Sequence, residues 1–346
     1  MALLWFQGFD YLPTGSLASG IAGSMGMNTG LSGGGGVYLM TPGRFGYGNY
    51  CQGSISQVVA SHVAHGFLGF ASTVTPNVYN PQLQFIDGVT GIIHCYLEFC
   101  PYGVIKLWGK GNAVNQGFQV LGVTDVDAYF AGPWNYYEVE AVIAASNNGS
   151  MTVRCNTTPI LSFSSITTQS PASSNSFFTV FNFLNQWVLD DMYLCDATGS
   201  APLNTYLGNV RCQALLPGGS GASTQWSPSN TADANWQCAA NTKMDDSLYV
   251  YSPTTGAEDN YAVKPLINTP LVVAVQTRLA ARQDDATQRT LEAVLISNGT
   301  EVTGAPVNLS QSYAVQSDMF VTDPATGLSW LYPAVNLLKV GQRITA

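Results

Sequence analysis

The sequence predicts an all-β fold, a face-to-face sandwich followed by a smaller C-terminal β-domain. Three observations predict it. First, residues 134–162 read as a long β-hairpin. Tyr137, Val139, Ala141 and Ile143 alternate with Tyr136, Glu138 and Glu140, giving one apolar and one wet face. Asn147, Asn148 and Gly149 then tolerate the positive φ of a tight turn. Met151, Val153 and Cys155 alternate with Thr152 and Arg154 on the return strand, and a half-buried hairpin needs a second sheet over its apolar face. Second, short strand-like segments recur along the chain, broken by Gly, Pro and Asn. Third, helical periodicity is scarce and nothing repeats at solenoid spacing.

Taken in order, Ala2–Tyr11 carries an opening strand, and residues 12–36 are a Gly- and Ser-rich loop ending in Gly33–Gly36. Val37–Met40 is a short strand and Arg44–Tyr50 an aromatic-glycine loop. Strand signals follow at 54–63, 66–74, 83–87, 91–99, 104–108 and 117–123. After the central hairpin, Ser164–Ser176 is a polar linker, and Phe177–Phe183 and Trp187–Cys195 close the first unit. Leu207–Leu216 is one more strand on its outside. Pro217–Ala240 is rich in Gly, Ser and Asn, and the C-terminal part restarts at Ser247–Ser252. Between Leu279 and Ile296 helix competes with strand, because Ala, Arg, Gln and Leu are frequent. Strands are favoured, since Val272, Val273 and Val275 open the run and Asn298-Gly299 ends it as a hairpin turn. Pro333–Lys339 is a short helix. The domains expected are 1–200, a sandwich; 201–246, linker and outer strand; and 247–346, a C-terminal β-domain.

Composition narrows the function. At 346 residues the chain exceeds what one core usually organises. Hydrophobic residues make up 46% and charged residues only 10%, against the ~25% usual for soluble domains, so the surface is rich in amides and hydroxyls. A net charge of −9 with 12 scattered Lys and Arg excludes a phosphate-binding stripe, hence nucleic acid, and a polybasic membrane anchor. No signal peptide and no run of ~20 apolar residues is visible, so a soluble protein made in a cytoplasm is expected. The 7 cysteines form no C-x-x-C pair; zinc is disfavoured, and most are read as small buried hydrophobes.

Few residues offer chemistry. Gly30-Leu31-Ser32-Gly33-Gly34 fits G-x-S-x-G, but a glycine tract follows where a nucleophile elbow needs a helix. The same tract lacks the G-K-[ST] of a phosphate loop. His62 and His65 fall on opposite strand faces, and with His94 they read as structural or surface histidines. Glu138 and Glu140 share a strand face at roughly 6.5–7 Å, a spacing inverting glycosidases use, but a solvated sheet face is the favoured reading. Asp10, Asp190 and Asp191 are oxygen donors of the kind calcium takes. Neighbouring aspartates alternate across a strand, so loop capping is favoured and no cofactor is expected. Tyr47, Tyr50, Trp226 and Trp236 are loop aromatics that suit subunit contacts or stacking on sugar rings.

The hairpin, with its Trp134, its Tyr-Glu-Val-Glu strand and its Asn-Gly turn, resembles the concanavalin A-like or laminin-G-like jelly-roll module, as does Val188–Leu194. The opening Ala-Leu-Leu-Trp-Phe-Gln-Gly-Phe-Asp-Tyr, Asp190–Pro202, Leu207–Arg211, Gln225–Ser229 and Asp323–Trp330 resemble a group of tailed-bacteriophage virion proteins. That resemblance implies a non-enzymatic structural component of a virion (tail fibre, baseplate or head surface), assembled in the host cytoplasm. Its partners would be copies of itself and other virion proteins. The alternative is a glycan-binding adhesin recognising host-surface polysaccharide; a polysaccharide-degrading enzyme ranks third.

Overall fold

The computed structural model describes residues 3–12, 15–16, 27–28, 38–45, 49–73, 80–110, 117–125, 134–242, 246–268 and 270–346. The chain forms two compact units, the first ending at Cys212 and the second running from Gln213 to Ala346. The stretch 201–246, expected as linker and outer strand, is therefore divided between them.

The first unit contains β1 (Leu3–Gln7), β2 (Gly15–Ser16), β3 (Met27–Asn28), β4 (Tyr38–Met40), β5 (Tyr50–Val63), β6 (His65–Ser72) and β7 (Gln82–Asp87). It continues with β8 (Ile92–Cys100), β9 (Val104–Gly109), β10 (Gln119–Val123), β11 (Asn135–Val142), β12 (Gly149–Cys155), β13 (Thr158–Ile166) and β14 (Phe178–Asp196). The ladder order is β10-β9-β8-β7-β14-β6-β11-β12-β13. The two closing strands read from the sequence are one strand, β14, and it makes the corner of the fold. Val180–Leu184 pairs with β7, whereas Leu189–Asp196 pairs with β6. Between these halves the register slips and Asn185 takes a φ of 69°, so the strand bends from one layer into the other.

The layers meet on aromatic rings. Phe99 of β8 packs edge-on against Tyr137 of β11 at 5.4 Å, and Phe70 of β6 against Phe183 at 5.0 Å, with Trp187 touching all three phenylalanines. All five are buried. Each such ring contributes about 1.5–3 kcal/mol by burial, and each edge-on pair about 0.5–1.5 kcal/mol more. The all-β fold with a jelly-roll sandwich is thus what the chain adopts.

The central hairpin has the predicted alternation, with Val139 opposite Val153 and Ala141 opposite Met151. Its turn carries positive φ at Ser146 and Asn147. A second turn, Asn156-Thr157, has φ of 48° and 72° and starts β13, so the expected return strand is two strands. The expectation of a wet outer face is corrected: Tyr136 and Glu138 are each 1% exposed. Their cover is the segment 203–212. Leu207–Leu216, expected as a strand, is irregular, because several of its backbone N–H groups bond side chains of the sheet beneath instead of a neighbouring strand.

The second unit contains β15 (Pro217–Thr224), β16 (Ser227–Pro228), α1 (Asn235–Ala239), β17 (Val250–Tyr251), β18 (Glu258–Val263) and β19 (Val275–Ala281). After these come β20 (Thr290–Ser297), β21 (Thr300–Thr303), β22 (Val307–Asn308), β23 (Ala314–Phe320), α2 (Tyr332–Val335) and β24 (Lys339–Ile344). The main sheet runs β15-β18-β24-β20-β21, with β19–β23 and β16–β17 as separate ribbons. Strand wins over helix at 279–296, where β20 buries Leu291, Val294 and Leu295 and turns at Asn298-Gly299 with positive φ at both residues. The helix expected at 333–339 is a single turn, closed against Trp330, Leu338 and Leu295. No helix among the described residues is long and apolar enough to cross a membrane.

Candidate functional site

The outward face of the β6-β11-β12-β13 layer carries one group of polar side chains of the first unit. Strand register lines them up in rows. Arg154, Glu138, Gly69 and Tyr193 are successive cross-strand neighbours, and Ser162, Thr152, Glu140 and Phe67 form the next row. Gly69 is required here: a β-carbon on it would lie 2.0 Å from the Tyr193 ring. The ring therefore crosses Gly69 and its hydroxyl donates to Glu138 Oε1 at 2.6 Å. Gly208 N–H donates to the same oxygen at 2.7 Å, and Leu207 N–H donates to the Tyr193 hydroxyl at 2.9 Å. Burial, then the Glu138 carboxylate, pushes the Tyr193 phenol up. Glu138 is thus sealed beneath the 203–212 strap. The paired-carboxylate reading of Glu138 and Glu140 loses its first member, since Glu138 has no path to a substrate.

Glu140 lies at the strap's edge. Tyr206 donates its hydroxyl to Oε2 at 2.9 Å, and His65 Nε2 lies 2.8 Å from Oε1. An ionised carboxylate only accepts, so Nε2 is the donor in this pair and the imidazole is held in one orientation. Arg154 places its guanidinium 4.4 Å over the Tyr206 ring, and Phe67 meets that ring edge-on at 5.0 Å. Burial first, then the Glu140 bond, pushes the Tyr206 phenol up. The His65, Glu140 and Arg154 side chains keep 37%, 26% and 25% of their surface in solvent. Beyond them the sheet is bare of the strap. Ser150 and Thr152 of β12 share that face with Ser162 and Ser164 of β13, both exposed, and the Thr152 and Ser162 hydroxyls are 3.4 Å apart.

A second cluster locks the strap's far end. Asp190 and Asp191, expected on opposite strand faces, are both buried and both bonded to Arg44, because Asp191 adopts a φ of 50° in a bulge. Arg44 N–H donates to Asp190 at 3.1 Å, and Arg44 Nη1 donates to Asp191 at 3.3 Å and to the Val210 carbonyl at 3.2 Å. Cys212 N–H donates to Asp191 at 2.8 Å, and Asn49 N–H to Asp10 at 3.1 Å. Burial pushes Asp10 up to about 6. Burial, then the charge of its neighbour Asp191, raises Asp190, and burial raises Asp191. The carboxyls that suggested calcium thus face Arg44 and backbone N–H groups. Among the described residues no group of three or more His, Cys, Asp or Glu is placed to hold a metal ion.

The other residues singled out from the sequence lie elsewhere. His62 stacks on Phe177 at 3.9 Å. His94 is buried, donates from Nε2 to the Phe177 carbonyl at 2.8 Å and accepts from Ser170 N–H at 3.2 Å, and burial lowers its pKa. Tyr50 meets Trp134 edge-on at 5.8 Å in the first unit. Trp226 and Trp236 are half-buried in the second, where Trp226 Nε1 donates to the Ala257 carbonyl at 3.1 Å. The four aromatics are thus not one site. Tyr47 and the glycine tract 30–36, with its G-x-S-x-G match, lie outside the described residues. Sequence reasoning missed Tyr193, Tyr206 and the His65–Glu140 pair. Gly69 within an apolar strand was the available signal, since such a glycine marks close approach of another group.

No protein-family model and no curated protein matches the chain. Solved structures do. Alginate lyase Aly36B matches at 12% identity and a TM-score of 0.38, over 55% of this chain and 96% of the lyase. Sheep galectin-11 in complex with glycerol matches at 18% and 0.28, over 41% and 97%. The carbohydrate-binding module CBM66 from Bacillus subtilis matches at 10% and 0.31, over 50% and 96%. The expectation that the chain is not an enzyme is corrected on this finding: a lyase is among the structures it is similar to. None of these three is a phage virion protein, and the phage resemblance gains nothing from them.

Proposed function

We propose that the first unit binds carbohydrate on the open half of its outer sheet face, which makes glycan recognition the main role and replaces particle assembly. The observation that carries this reading is the fixed geometry at the strap's edge. Glu140 is held by both His65 and Tyr206, and Arg154 is stacked on Tyr206, beside a floor of Ser150, Thr152, Ser162 and Ser164. Sugars present hydroxyls in dense arrays with apolar ring faces between them. A floor of hydroxyls bordered by one carboxylate, one guanidinium and an aromatic ring offers acceptors, donors and apolar surface in the same plane. Because the strap fixes the charged groups before the ligand arrives, little side-chain entropy is lost on binding.

A glycan array with the full chain, followed by titration of the glycans it retains, tests this. Glu140→Gln and Arg154→Ala should each weaken binding roughly tenfold or more, the worth of one hydrogen bond to a charged group. Retention that ignores both substitutions, or a folded chain that retains no glycan, contradicts the proposal.

A further inference from the structure

We infer that the floor on the first unit takes uncharged glycans and rejects uronates, with Glu140 as the residue that sets the choice. This rests on the carbohydrate reading above and names the class of sugar that reading leaves open. Glu140 shares its cross-strand row with Thr152 and Ser162, and its side chain keeps 26% of its surface in solvent. Each of its oxygens already meets one donor, Oε1 from His65 and Oε2 from Tyr206, and each keeps a lone pair for another. A sugar hydroxyl supplies that further donor. A uronate carboxylate is charged and only accepts, so it meets Glu140 as acceptor against acceptor and as like charge against like. Glu138, two residues away on the same strand face, adds a second carboxylate roughly 6.5–7 Å off.

Arg154 is the cation that could offset them, and it is already committed. Its Nε and Nη2 both donate to the Thr157 carbonyl, at 3.0 and 2.8 Å, which occupies an edge that would otherwise fork onto a carboxylate. Its Nη1 lies 3.7 Å from Glu138 Oε2, so its charge is balanced by Glu138 and not by Glu140. The remaining Lys and Arg of the first unit are engaged elsewhere. Arg44 bonds Asp190 and Asp191, and Arg211 lies 4.7 Å over Phe45, within electrostatic reach of Asp10 and Asp191. On the opposite layer Lys106 is the register partner of Glu98, and the Lys110 ammonium lies 5.6 Å over the Phe118 ring. Residues 141–153 and 155–177, which supply the serines and threonine of the floor, contain no Asp, Glu, Lys or Arg. An incoming carboxylate therefore finds a carboxylate at the strap's edge and no cation of the first unit left to pair with it.

The experiment titrates the full chain, at pH 8 where histidine charge is least, with oligosaccharides in matched pairs. Each pair is a gluco-, manno- or galacto-oligosaccharide and the uronate that differs from it only by oxidation at C6. In the pair that binds, the neutral member should be roughly tenfold or more tighter than its uronate. Raising salt from about 0.1 M to about 1 M, which shortens the screening length from about 10 Å to about 3 Å, should shrink that preference. Glu140→Gln should weaken the neutral member roughly tenfold and leave the uronate no weaker, so the preference falls to within about threefold. Glu140→Asp keeps the charge and should keep rejecting the uronate. The native chain's salt dependence needs no variant and stands if either substitution fails to fold. A uronate bound as tightly as its neutral partner by the native chain at about 0.1 M salt overturns the inference and leaves the floor. So does a preference that neither salt nor Glu140→Gln alters, because shape and not charge would then set it. Binding of neither member of any pair overturns the carbohydrate reading itself, and this inference with it.

Discussion

Replacing Tyr193 with Phe removes one oxygen and tests how the strap is held. In the native chain that hydroxyl donates to Glu138 at 2.6 Å and accepts from Leu207 N–H at 2.9 Å, both away from water. The first bond goes to a charged group and is worth about 1.5–3 kcal/mol; the second is worth about 1 kcal/mol. Glu138 has little in reserve: its Oε2 is buried without a hydrogen bond, and Arg154 Nη1 is 3.7 Å away. The ring itself still fits over Gly69, so the substitution disturbs little packing. A loss of about 2.5–4 kcal/mol follows for the first unit, which lowers its melting temperature by roughly 5–16 °C for a unit of this size. Differential scanning calorimetry reads the transition, and hydrogen exchange reads the strap, where the Leu207 and Gly208 amides should exchange faster. A variant within about 0.5 kcal/mol of the native chain, with those amides still protected, refutes the reasoning.

Two further outcomes depend on pH. Burial disfavours charge on Asp87, but bonds from Thr90, Ser173, Asn175 and the Val89 N–H outweigh it and hold its carboxyl well below the usual range. A depressed carboxyl stabilises the fold above its unfolded pKa, about 4, and that contribution is lost as pH falls toward the native value. Asp87→Ala should therefore cost about 3 kcal/mol at neutral pH, with the gap to the native chain narrowing in urea titrations below about pH 4. Asp10 has the opposite sign. Its pKa is raised to about 6, so its contribution is complete below about 4 and is lost as pH rises through about 6. Asp10→Asn keeps the acceptor for Asn49 N–H and should flatten the fall in melting temperature between pH 4 and 7; an unaltered slope rejects this assignment.

The sandwich was legible because its signal is local. The alternation from Tyr137 to Ile143 depends only on strand pleat, and it appears in the structure with Val139 facing Val153. The fate of Glu138 was not legible, because its cover comes from Leu207 and Gly208, seventy residues further along, and no period links them. Asp191 was misjudged for a related reason: alternation assumes a regular strand, and a residue at φ 50° breaks it without a glycine to announce the break. Asn156-Thr157 likewise turns the chain without glycine, which hid the start of β13. The aromatic signal in the second unit was half read. Trp226 and Trp236 drew attention by size, but Trp226 braces the ribbon, while the smaller Tyr249 and Tyr251 carry the exposed rings.

The central claim is that ligand meets the hydroxyl floor beside Glu140. Hydrogen exchange of the full chain, with and without the tightest glycan from the array, tests it most directly. The account predicts slower exchange across β12 and β13 around Thr152 and Ser162 and at Tyr206, with the opposite layer, β7 to β9, unchanged. Protection confined to that opposite layer, or none on the first unit at saturating glycan, would contradict it.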